Sequence, residues 1–173
     1  AVKKNMLLSL FILALATFLS TPLYAQTVQV DIGDLSARPG DRVVVPIDIS
    51  GLSGTEIVSG EVKAAFDPNM LTYVETVRSG GLIENQRWLT ADQVVSNSTL
   101  QSTYQLVFAA ATGFSRDGEL VFITFKVDSA AVIGTSTVLT VTAASFNNGS
   151  PTAVLGSGTL SIVNHVVRAN FAG

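Results

Sequence analysis

The run Glu56–Thr76, EIVSGEVKAAFDPNMLTYVET, restricts the fold more than any other part of the chain. Successive side chains of a strand point to opposite faces. Val58, Gly60, Val62, Ala64 and Phe66 therefore share one face, which is apolar and predicts a core contact. Ile57, Ser59, Glu61, Lys63 and Ala65 share the other, which is polar at its centre and predicts solvent or a partner. Phe66-Asp67-Pro68-Asn69 supplies a turn, because proline presets its own φ and Asp and Asn side chains bond back to nearby backbone. Leu71 and Tyr73 resume the strand pattern.

The same two-residue period recurs along the chain. Val28, Val30 and Ile32 predict a first strand, and Val43, Val45, Ile47 and Ile49 a second. Pro46 within the second predicts an edge position or a bulge, since proline donates no ladder hydrogen bond. Gly33–Asp41 is rich in turn residues, and Ser79-Gly80-Gly81 breaks the pattern after Arg78. Leu82–Ser102 is least regular, with a strand expected over Arg87–Val95. Further on, Tyr104, Leu106 and Phe108 face one way and Gln105, Val107 and Ala109 the other. Leu120–Val127 is almost wholly apolar, as in a strand deep in a sandwich. One helical turn is expected within Asp128–Gly134. Thr137–Phe146 is rich in Val and Thr, Asn147-Asn148-Gly149 is a turn signal, and Thr152–Val163 closes the pattern. The sum is an all-β domain of about nine short strands.

The N-terminal segment stands apart. Lys3 and Lys4 precede an uncharged apolar run, Met6–Leu19, and small residues reach Ala25. This is the layout of a secretory signal over residues 1–25, too short for a membrane span of roughly 20 apolar residues. The expected organisation is a signal at 1–25, one sandwich domain at 26–163 and a tail or linker at 164–173. A secreted or cell-surface location follows, with no stable membrane insertion once the signal is removed.

Composition narrows the function classes. The formal net charge is −3, and removal of Lys3 and Lys4 makes it more negative, so nucleic acid is a poor partner. The chain has no cysteine, which leaves the fold to its core and excludes thiolate metal sites. Its one histidine, His165, lies in the tail, so the usual zinc sites lack ligands and no cofactor is expected. No Gly-x-Ser-x-Gly is present to form a nucleophile elbow. Glu61 and Asp67 can be imagined as a glycosidase pair, but they read better as a solvated face charge and a turn former. Asp31, Asp34, Asp41 and Asp48 cluster in sequence without EF-hand spacing and read as turn and strand-edge residues. A carbohydrate-binding alternative rests on Trp88, because polysaccharide modules lay aromatic rings on a flat face. Tyr104 shares a face with Leu106 and Phe108 and is expected in the core.

Three sequence pieces, in order, carry a family resemblance: Ala37-Arg38-Pro39-Gly40-Asp41, Phe66-Asp67-Pro68-Asn69-Met70-Leu71 and Asp117-Gly118-Glu119-Leu120. Together they resemble the cohesin domain of cellulosome scaffolds. The resemblance implies a nine-stranded jelly-roll β-sandwich that binds a dockerin module and has no catalytic activity. It aligns the family's partner-facing polar positions with Ser59 and Glu61, and its later outward positions with Val107 and Ala109. With their face neighbours Lys63 and Gln105, these form the expected partner-binding set. The acidic pair found next in many type I cohesins is replaced by Ala110 and Ala111, which puts type I specificity in question. A carbohydrate-binding module and a structural spacer remain the alternatives.

Overall fold

The computed structural model describes residues 26–85 and 87–164. The expected signal at 1–25 and the tail from His165 onward lie outside the described residues. Eleven strands form, and no helix occurs among the described residues. They are β1 (Thr27–Asp31), β2 (Leu35–Ala37), β3 (Arg42–Ser50), β4 (Ile57–Phe66), β5 (Leu71–Val77) and β6 (Leu89–Ser96), then β7 (Ser102–Phe114), β8 (Gly118–Val127), β9 (Ser136–Phe146), β10 (Thr152–Leu155) and β11 (Ser157–Ile162). A five-stranded sheet has the order β10-β1-β3-β8-β5, and a six-stranded sheet the order β2-β11-β9-β4-β7-β6. Neighbours are antiparallel except the short edge pairs β1/β10 and β2/β11.

Apolar side chains of both sheets meet between them. Val45, Ile47, Ile123 and Phe125 come from one sheet, and Val62, Leu106, Phe108 and Phe146 from the other. Phe66 and Phe125 pack across the gap with ring centroids 4.8 Å apart and planes tilted by 59°. At one open side of the sandwich, edge strands β5 and β6 are linked by polar groups. The Tyr73 hydroxyl donates to the Asp92 carboxylate at 2.6 Å, and the Thr76 hydroxyl donates to it at 3.0 Å.

The three motif segments each close a turn. In Pro39-Gly40, Gly40 adopts φ 78°, the left-handed value that glycine takes readily, and Asp41 N–H donates to Arg38 C=O. Asp67 accepts the backbone N–H of Asn69 at 2.8 Å, while the Asn69 amide reaches Thr99 C=O. Asp117 accepts from Gly51 and Leu52 N–H at 3.1 and 3.0 Å, tying the β3–β4 loop to the start of β8.

The structure departs from the sequence expectations in three places. Two short strands raise the count from nine to eleven. Leu35–Ala37 pairs inside the expected turn region, and Thr152–Val163 divides at Gly156. Gly156 N–H donates to Val30 C=O of one sheet, and its own C=O accepts from Val141 N–H of the other. A side chain there would strike the Asp31 carboxylate, so glycine allows the chain to change sheets. Of the two settings expected for Pro46, an edge or a bulge, the structure shows the second, in an interior strand. However, β1 pairs only with Asp48–Ser50, so Pro46 faces no β1 ladder, and a bulge follows directly at Ile47/Asp48. In β4, Ile57 is buried and Val58 is not, the reverse of simple alternation, because a register shift lies between Ile57 and Ser59. Asp128–Gly134 holds successive turns rather than a helical turn, with Asp128 accepting from Ala130 and Ala131 N–H.

Candidate docking face

The outer face of the six-stranded sheet collects the expected partner-binding residues. In the β4/β7 ladder, Ser59 lies opposite Ala109, Glu61 opposite Val107 and Lys63 opposite Gln105. All six side chains stand on the solvent side, because their neighbours Val62, Leu106 and Phe108 point into the core. The β6/β7 register adds Leu89 beside Ala109, Ala91 beside Val107 and Gln93 beside Gln105.

Two chemistries lie side by side on this face. Leu89, Ala91, Val107 and Ala109 form an apolar patch, with Leu89 78% exposed and Val107 47%. Beside it, a polar row crosses three strands. The Gln93 amide donates to Gln105 at 3.0 Å, the Gln105 amide donates to Glu61, and Lys63 Nζ lies 3.0 Å from the same Glu61 oxygen. The Lys63 contact, then the Gln105 hydrogen bond, hold the Glu61 carboxyl below its ordinary range. Glu61 is therefore a fixed acceptor, already engaged by two neighbours.

A shallow depression of about 280 Å³ opens where Ser59, Glu61, Val107 and Ala109 meet Ser145, Asn147 and Asn148 of β9 and its turn. Its floor is Gly60 over the Phe108 and Phe146 rings. Asn147 builds its rim. The Asn147 side-chain oxygen accepts from Val58 N–H at 2.9 Å and Ser59 N–H at 3.3 Å, and its amide donates to Glu56 C=O at 2.8 Å. These bonds satisfy backbone groups freed where the β4/β7 register breaks and fix the direction of Ser59.

Sequence reasoning missed Asn147 and Leu89. Asn147 read only as a turn former, and Leu89 fell in the least regular stretch. The cue for Leu89 was its alternation with Ala91 and Gln93. Nothing local pointed to Asn147, whose side-chain partners are 88, 89 and 91 residues away.

Trp88 corrects the sugar-binding alternative. It is 3% exposed, with its ring 5.7 Å from both Phe108 and Phe114. It presents no open ring face to a polysaccharide. Glu61 and Asp67 also part company, the first in the polar row and the second in its Asn69 turn. Of the four early aspartates, Asp31 and Asp48 stand opposite each other in the β1/β3 ladder with Glu119 beside Asp48, while Asp34 accepts from Thr159 and Asp41 pairs with Arg38.

Comparison with known proteins follows the same lines. The cohesin-domain profile matches residues 28–162. Cellulose-binding protein A of Clostridium cellulovorans is 29% identical over 136 residues, which cover 79% of this chain and 7% of that protein. The chain thus spans a small fraction of the curated relatives it matches. The third cohesin ScaC of Acetivibrio cellulolyticus, solved in complex with the ScaB dockerin, superposes with TM-score 0.65 at 26% identity, covering 79% of this chain and 99% of that one. A non-cellulosomal cohesin from Archaeoglobus fulgidus shares the fold, with TM-score 0.58 at 22% identity over 79% of this chain and 91% of that one. With its two-sheet sandwich, its three turn motifs and a profile match over most of its length, the chain belongs to the cohesin domain family.

Proposed function

We propose that this chain is a non-catalytic receptor that docks a dockerin module of another protein on the outer face of its six-stranded sheet. One observation carries the reading: an exposed apolar patch, Leu89, Ala91, Val107 and Ala109, lies directly beside a pre-assembled polar row, Gln93, Gln105, Glu61 and Lys63. An apolar centre beside hydrogen-bonding groups is the normal anatomy of a protein interface. Ser59, Glu61, Lys63 and Gln105 would form hydrogen bonds while Val107 and Ala109 pack, burying roughly 1,600 Å² in total. The ScaC cohesin, similar to this chain, was solved with a dockerin bound, which supports the partner class.

The N-terminal pattern Lys3–Ala25 supports export, and likeness to cellulose-binding and cellulosome-anchoring proteins supports a cell-surface or extracellular setting linked to polysaccharide breakdown. The test is calorimetric titration of the chain with a panel of dockerin modules, with soluble and insoluble polysaccharides as parallel ligands. One-to-one binding to a dockerin and none to sugar is expected. Sugar binding with silence from every dockerin would refute the reading.

A further inference from the structure

The two sheets differ sharply in charge. The strands of the five-stranded sheet carry Asp31, Arg42, Asp48, Glu75, Glu119 and Lys126. The six strands of the other sheet carry only Glu61, Lys63 and Asp92. None of these three offers a free charge on the outer face. Glu61 and Lys63 pair with each other, and Asp92 turns to the other side of β6 to accept from Tyr73 and Thr76. Strand β7 has no charged residue over its whole length, Ala110 and Ala111 included. Glu56, next to the start of β4, commits an oxygen to Gly113 N–H at 2.7 Å. Arg87, exposed two residues before Leu89, adds a positive charge at that end.

Resting on the docking reading above, we infer that the partner presents a neutral surface to this face, with apolar, hydroxyl and amide side chains and no lysine or arginine against β7. A cation brought against Ala109–Ala111 would lose its water, and the one carboxylate that the strands offer on this face, Glu61 opposite Val107, is already paired with Lys63. It would also approach the Arg87 end, where like charges repel. Charges thus act here by excluding partners rather than by attracting them. Without attraction between opposite net charges on the two surfaces, association should be nearly independent of salt.

The test uses two groups of purified dockerin modules, one with neutral side chains at the helix contact positions and one with lysine or arginine there. Affinities are measured by calorimetry in about 0.05 and about 0.5 M NaCl. The neutral group is expected to bind, with less than about a twofold change between the salts, and the cationic group to bind roughly tenfold or more weakly. The substitution Ala111→Glu, at an exposed position of β7, is expected to improve cationic binding by roughly tenfold and make it salt-sensitive. Cationic modules binding the unsubstituted chain as tightly as neutral ones, with steep loss in salt, would overturn the inference and leave docking intact. Silence from both groups, with the Ala111→Glu variant silent too, would overturn docking itself and the inference with it.

Discussion

Glu61 and Asp48 show how environment separates two carboxylates of one sandwich. Glu61 is held below its ordinary value by Lys63 and then Gln105, so the row it anchors contributes stability above pH 4.5 and loses it only as pH falls through the depressed value. An NMR titration of Glu61 should show a midpoint below 4.5, and Lys63→Ala should move it upward. Asp48 is the opposite case. Burial, then Glu119, then Asp31 push its carboxyl up. The folded state holds that proton more tightly than the unfolded chain does. The stabilising contribution is complete below pH 3.8 and is lost as pH rises through the raised value. Asp48→Asn should therefore stabilise the protein near neutral pH, by up to about 0.5 kcal/mol for so partly exposed a group. Thermal melts at neutral and acid pH check this, with the gain shrinking in acid.

At the scale of the element, β4 governs the face. Gly60 lies over the aromatic layer: an added Cβ would meet Phe108 Cζ at 2.6 Å and Phe146 Cδ1 at 2.8 Å. Both rings belong to the packed core, so Gly60→Ala should destabilise by about 1–3 kcal/mol in urea unfolding through overpacking. Asn147→Ala removes the acceptor of Val58 and Ser59 N–H and should cost about 1–3 kcal/mol, disturbing Ser59 in amide NMR spectra before distant residues. These two residues also mark how far the sequence could be read. Alternation correctly assigned Val62, Ala64 and Phe66 to the core and Glu61 and Lys63 to the surface. It failed at Ile57 and Val58 because the ladder with β7 breaks there, Ile57 pairing with Phe114 but Ser59 with Ala109, and the side chain that stabilises the break comes from the turn after β9. The division at Gly156 escaped for a similar reason. The apolar pattern continues through it, and only contacts with Val30 and Val141 show that the chain changes sheets.

Over the whole molecule, the layered architecture was legible because strand after strand alternates and no segment sustains a helical period. The order of strands was not, since β4 lies between β7 and β9 through contacts far apart in sequence. The face assembled by that order joins apolar and polar residues from three strands, and the proposed docking depends on both kinds. The measurement that bears most directly on this is calorimetric titration of a dockerin that binds the chain against the double substitution Glu61→Arg, Val107→Asp. Thermal unfolding of the variant serves as the control for folding. The account predicts a variant that remains folded and loses at least about a hundredfold in affinity, because a misplaced charge at an interface centre costs several kcal/mol. A folded variant that binds with unchanged affinity would contradict it and move the docking surface elsewhere.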